Sequence, residues 1–197
     1  MNTRSIAIII TFTALCIVLI PFRIPTLYWP GFYYYWWEIP IIAAFLLFGF
    51  KVAFSISVLN TLARMALGVT PNPLLLPLIS FQPLLIMLFG VYLAQKLIQR
   101  QFLKGKIISD AKKGVYITAL GVAARAMILP FIDYVNYHTL FPFFVGRDFP
   151  EAYITGIMPG IVLFNILVPL YGISIGYLVA KTVSKNLKIE PELFSKS

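Results

Sequence analysis

The chain has 197 residues, 60% of them hydrophobic and only 12% charged, with a formal net charge of +9. Soluble domains are about 45–50% apolar and about 25% charged, so a soluble globular protein is excluded and an all-α integral membrane protein is expected. The positive charge flanks the apolar stretches, which assigns it to membrane orientation and anionic headgroups rather than to nucleic acid.

A membrane span needs about 20 mainly apolar residues. On that measure the sequence predicts one transmembrane domain over 1–197, with six helices near 5–22, 34–50, 52–70, 75–98, 114–135 and 153–183. The first stretch, Ser5 to Phe22, has no small-residue cleavage site after it and is expected to be retained. It contains the lone Cys16, which reads as a buried small hydrophobe. Ala7, Thr11, Ala14 and Val18 fall on one stripe of this helix. Small residues let membrane helices approach closely, either within the chain or against a partner.

A run of aromatics follows: Tyr28, Trp29, Phe32, Tyr33, Tyr34, Tyr35, Trp36 and Trp37. Trp and Tyr favour the membrane interface. A belt needs about one ring per turn, and this density suggests in addition a loop that stacks on a planar ligand or closes over it.

Only Gly49-Phe50-Lys51 separates the second and third spans. A single helix over 34–70 would be about 55 Å long, well beyond a hydrocarbon core of about 30 Å, so a tight hairpin is predicted. Glu38 lies about 12 residues before that turn and Arg64 lies 13 after Lys51, which matches them in depth and predicts an ion pair between helices two and three. Ligand contact is the alternative for both. Asn60 reads as structural.

Charge parity supports six spans. Lys96, Arg100, Lys104, Lys106, Lys112 and Lys113 cluster in one loop, Arg4 stands near the start, and Lys181, Lys185, Lys188 and Lys196 lie near the end. Cytoplasmic segments carry the Lys/Arg excess. Six spans put both termini, Lys51 and the basic loop on the cytoplasmic side. The outer side then receives 23–33, 71–74 and 136–152, where only Arg23 and Arg147 are basic.

Arg125 sits near the middle of the fifth helix, where it needs a cavity or a partner. Asp133 lies two turns further out and about 80° away around the helix, too far for a direct salt bridge. The candidates for Arg125 are a ligand carboxylate or phosphate, Glu38, or a carbonyl freed by proline. Asn165 in the sixth helix reaches similar depth, and its amide can donate and accept, to another helix or to a ligand. The candidate substrate-binding residues are therefore Arg125, Asn165, Asp133, Trp36, Trp37 and Tyr34.

Several chemistries lack their residues. There is no G-x-x-x-x-G-K-[ST] phosphate loop and no H-E-x-x-H, and His138 is the single histidine. No enzyme activity, metal or cofactor is expected. A membrane enzyme acting on a lipid would need a paired carboxylate cluster for Mg²⁺, which the sequence does not show.

The opening Thr3-Arg4-Ser5-Ile6-Ala7, leading into Thr13-Ala14-Leu15, and Glu38-Ile39-Pro40 followed by Leu46-Leu47-Phe48-Gly49 resemble the corresponding segments of the substrate-binding S components of energy-coupling factor (ECF) transporters. The resemblance extends over nearly the whole chain in size and segment layout. That family often carries an alanine-x-x-x-alanine contact in its first helix, for which Ala7-x-x-x-Thr11 is the nearest match here, and Phe50 stands where a proline commonly follows the turn glycine. The resemblance implies capture of a vitamin or similar micronutrient at the cell membrane. It implies an outer-half site covered by the loop between helices one and two, a membrane coupling subunit and two ATP-hydrolysing subunits. It also implies docking of a partner on the first helix, at Ala7, Thr11 and Ala14. From the residues alone, a structural subunit of a larger membrane complex, with no small ligand, is the competing reading.

Overall fold

A computed structural model describes residues 3–26, 33–68, 70, 72–103 and 109–188. Tyr28, Trp29, Phe32, Lys104, Lys106 and Lys196 lie outside the described residues. Within them the chain is helical apart from one short hairpin: α1 (Thr3–Leu19), β1 (Arg23–Pro25), β2 (Tyr33–Tyr35), α2 (Glu38–Phe48), α3 (Phe50–Leu67), α4 (Leu75–Leu103), α5 (Asp110–His138), α6 (Leu140–Val145) and α7 (Glu151–Leu187).

Among the described residues, four helices are long and apolar enough to cross a membrane: α3, α4 over Leu75–Arg100, α5 and α7. Large apolar side chains face outward, among them Met127 at 80% exposure and Phe131 at 72%. Such residues are costly to expose to water and at home against lipid. The fold fits a multi-pass membrane protein.

Two expectations change. The aromatic run does not open a helix at 34. Residues 33–35 form β2, paired antiparallel with β1 in the register Arg23↔Tyr35, Ile24↔Tyr34, Pro25↔Tyr33, and the helix starts only at Glu38. The second helix is therefore 11 residues long, about 16 Å, roughly half of a hydrocarbon core of about 30 Å. The segment expected as an outer loop over 136–152 also contains the short, surface-lying α6.

Helix α2 is the centre of the bundle. Nine of its residues are buried, and it packs against α1, α3, α4 and α7. A helix that is apolar all round belongs in an interior, and Ile41, Ile42, Ala44 and Phe45 are fully enclosed. Its one charge, Glu38, occupies the first turn, where the positive end of the helix dipole favours a carboxylate. Pro40 sits in that first turn too, where a missing N–H costs nothing.

The turn after α2 is as tight as its sequence requires. Gly49 takes φ +86°, a conformation that favours glycine, and its N–H caps Phe45 O at 2.8 Å. Around α2, α1 lies on α3, with Ile9, Thr13 and Cys16 buried, and α5 packs against both α4 and α7. At the α5 start, Asp110 bonds Lys181 at 3.1 Å and Lys113 at 3.4 Å, and its carbonyl accepts from the Tyr177 hydroxyl at 2.9 Å. These contacts tie the start of α5 to the last third of α7.

Candidate functional site

Because α2 is short, its N-terminus lies inside the bundle and not at its end. Glu38 therefore meets the middle of the 29-residue α5. Arg125 Nη1 donates to Glu38 Oε2 at 2.8 Å, with both side chains almost fully buried. Arg125 Nε donates to Asn165 Oδ1 at 3.1 Å, and Met87 Sδ of α4 lies 4.0 Å from Nη1. Asn165 Nδ2 in turn donates to Asp133 Oδ2 at 3.4 Å. The result is a relay, Glu38–Arg125–Asn165–Asp133, that joins α2, α5 and α7 through one buried polar chain.

The relay explains how Arg125 and Asp133 coexist on one helix. They are eight residues apart, about 12 Å along the axis, and Asn165 bridges part of that gap from the neighbouring helix. A buried amide with an acceptor and a donor at its two ends suits this position. Two further side chains continue the polar seam outward: Asn136 Nδ2 donates to Gln82 Oε1 of α4 at 2.8 Å.

Beside the relay, against Phe164 and Tyr171 of α7, stands the hairpin. Successive side chains of a strand point to opposite faces, and β2 shows it. Tyr34 turns to α7, stacking on Phe164 at a centroid distance of 6.0 Å and meeting Tyr171 edge-on at 5.8 Å. Tyr33 and Tyr35 lie together on the other face, with centroids 6.3 Å apart, and the Arg23 guanidinium covers the Tyr33 ring at 4.5 Å. Trp36 leans on Tyr171 at 5.6 Å, and the Tyr171 hydroxyl donates to Tyr35 O at 2.8 Å. Tyr171 thus anchors the hairpin to α7. Tyr171→Phe is expected to cost about 1 kcal/mol, and to speed amide exchange in 33–35 ahead of the helices. Unchanged hairpin exchange would show that the aromatic stacking alone holds it.

The structure corrects the expected pair Glu38–Arg64. Glu38 is bonded to Arg125, and Arg64 makes no ion pair among the described residues. Matching depth fixes the level of two residues but not the direction in which each points. Glu38 projects from the head of α2 toward α5. Arg64, on α3, donates from Nη1 to Ser80 Oγ of α4 at 2.7 Å and lies over the Trp37 ring at 4.7 Å.

Trp37 also departs from its expected place in a loop that closes over a ligand. It is 2% exposed, because the chain turns inward at the start of α2 and carries the ring against α3. Of the six candidate binding residues, the structure joins Arg125, Asn165 and Asp133 in the relay and Tyr34 and Trp36 in the hairpin. It sets Trp37 apart, with Arg64.

Ala7, Thr11 and Ala14 face outward on α1, whose buried side carries Ile9, Thr13 and Cys16. Compared with known proteins, the chain matches no family model, no curated protein and no solved structure. Tyr171, Met87, Ser80 and Gln82 were not singled out from the sequence. A lone polar or aromatic residue within an apolar span is the only signal that Tyr171, Ser80 and Gln82 give there, and Met87 gives none.

Proposed function

We propose that this chain is a membrane-embedded solute-capture subunit, a substrate-binding component of the ECF transporter type, with both termini on the cytoplasmic side. The observation that supports the reading is the buried relay Glu38–Arg125–Asn165–Asp133, lying beside an aromatic hairpin docked on α7. Ionisable groups deep in a membrane protein are expensive, and they mark ligand paths or fixed pairs. A movable aromatic cover over such a group is what capture of a planar, polar solute such as a vitamin would need.

In this reading the chain does not hydrolyse ATP. A membrane coupling subunit and two ATP-hydrolysing subunits supply the energy, and the outward stripe Ala7, Thr11, Ala14 of α1 is where a partner helix docks. Lys113, Lys181 and Lys185, at the end of the bundle where α5 starts and α7 finishes, favour placing that end in the cytoplasm.

The test is release of co-purified small molecules from the folded chain, followed by mass spectrometry. A near-stoichiometric solute is expected, with retention reduced about tenfold or more, the equivalent of 1.4 kcal/mol, in Tyr34→Ala and Asn165→Ala. A second reading is favoured by the occupation of Arg125 by Glu38 and Asn165: a structural subunit whose charges only hold helices together. Recovery of the chain in a fixed complex with no ATPase and no solute would select that reading.

A further inference from the structure

The two buried arginines differ in one respect. Arg125 is held by Glu38 at 2.8 Å and by Asn165 at 3.1 Å, with Asp133 one bond further on. Arg64 is as deeply buried, at 3% exposure, yet its side-chain partners are a neutral hydroxyl, Ser80, and the face of Trp37. Glu38 attracts it only at longer range. Both acids of the bundle centre thus hydrogen-bond on the side of Arg125, and Arg64 has no carboxylate of its own among the described residues.

The groups around Arg64 share this lack. Arg64 Nε, Trp37 Nε1, and both Nδ2 and Oδ1 of Asn60 are buried with no hydrogen-bond partner among the described residues. Asn60 lies one turn before Arg64 on the same face of α3. Three donors from two elements therefore lack acceptors around a guanidinium that makes no ion pair among the described residues. A buried donor left unmade costs about 1–3 kcal/mol, and more beside a charge. Water would satisfy the donors but would leave the charge unbalanced, and an unpaired buried charge is the larger cost.

We infer that the Arg64–Trp37–Asn60–Ser80 cluster is a binding site for an oxyanion, the carboxylate or phosphate of the captured solute. The inference rests on the solute-capture reading and names the charge of that solute. It places the anionic group on α3 and α4 instead of at Arg125, whose Nη1 and Nε are already given to Glu38 and Asn165. A guanidinium offers parallel N–H donors that match a carboxylate or phosphate. Nη1 holds Ser80, and Nε, with the Asn60 amide beside it, is open to the anion. The orphaned atoms are sealed from solvent, so the anion enters when the Trp37 ring moves off the guanidinium. Trp37 directly follows the hairpin through Trp36, which couples occupancy of this site to the position of the aromatic cover.

The experiment measures thermal unfolding of the full chain in lipid nanodiscs with acetate, benzoate or inorganic phosphate at about 10 mM, and with benzamide as the neutral counterpart of benzoate. A ligand that binds only the folded state raises the melting temperature. At least one oxyanion is expected to raise it by about 2–5 °C, with no shift from benzamide. The shift should vanish in Arg64→Gln and fall by half or more in Arg64→Lys, which keeps the charge and loses the fork. No shift from any of the three anions, or an equal shift from benzamide, would overturn the inference; the benzoate–benzamide contrast needs no variant to fold. Equal shifts in wild type and Arg64→Gln would overturn it as well, and would leave solute capture, read separately from the released molecule, standing.

Discussion

Glu38→Ala is expected to destabilise the bundle by about 3–5 kcal/mol, the cost of leaving a buried partner charge uncompensated. The magnitude decides which effect is being measured. Interhelical hydrogen bonds inside membranes average only about 0.6 kcal/mol in double-mutant cycles, so a loss of several kcal/mol reports the stranded guanidinium of Arg125 and not the bond count. Asn165→Leu removes two hydrogen bonds but no charge, and its cost should be smaller, about 1–2 kcal/mol. The double variant Glu38→Leu/Arg125→Leu, which removes both charges, should recover most of the loss. Equilibrium unfolding in mixed micelles ranks the set. A Glu38→Ala protein within about 0.5 kcal/mol of wild type, a range typical of surface substitutions, would mean that Arg125 finds another anion or reaches water, and the relay would lose its place as the keystone of α2, α5 and α7.

The same residues show what was legible in the sequence. Apolar length revealed the long helices, and Gly49 revealed the tight joint between α2 and α3, because each depends on a property carried along one stretch of chain. Asn165 was matched to the depth of Arg125 for the same reason, since counting residues along a helix measures depth. The pairing of Glu38 was not legible. It depends on where α2 begins, and that depends on the hairpin formed by two strands separated in sequence. With the helix start moved from residue 34 to 38, Glu38 becomes the first residue of a short buried helix, and its side chain addresses α5. The contrast between Arg64 and Arg125 was hidden likewise: both are single arginines in apolar runs, and only the packing of α2 and α4 gives one a carboxylate and the other a serine. The aromatic run announced an unusual element but not its form. Six adjacent rings suit a strand as well as a loop, and what selects the strand is its partner, Arg23–Pro25, together with the anchor Tyr171 on the last helix.

Gly90→Ala, a change of one methyl group, is expected to be among the most damaging small substitutions, at about 1–3 kcal/mol or more. A Cβ at Gly90 would lie 2.5 Å from Leu120 O, 2.7 Å from Ala124 Cβ and 2.9 Å from Gly121 Cα. Two of these are backbone atoms of α5, so no rotamer change can relieve the contact; α4 and α5 must separate. Helices in membranes gain much of their association from such close backbone approach. The damage should not stop at packing. Arg125 follows Gly121 by one turn, and a displaced α5 moves the guanidinium away from Glu38 and from Met87 of α4. Gly156→Ala in α7 is the matched control, because a Cβ there meets nothing within 4 Å. The general preference of helices for alanine over glycine, about 1 kcal/mol, should make that variant neutral or more stable. The two substitutions therefore have opposite expected signs for the same chemical change. Thermal unfolding compares them directly, and for Gly90→Ala it should be joined by a lower retention of the co-purified solute. A Gly90→Ala chain as stable as Gly156→Ala would show that α4 and α5 can slide apart without disturbing the relay, and that the position of Arg125 is set by α2 and α7 alone.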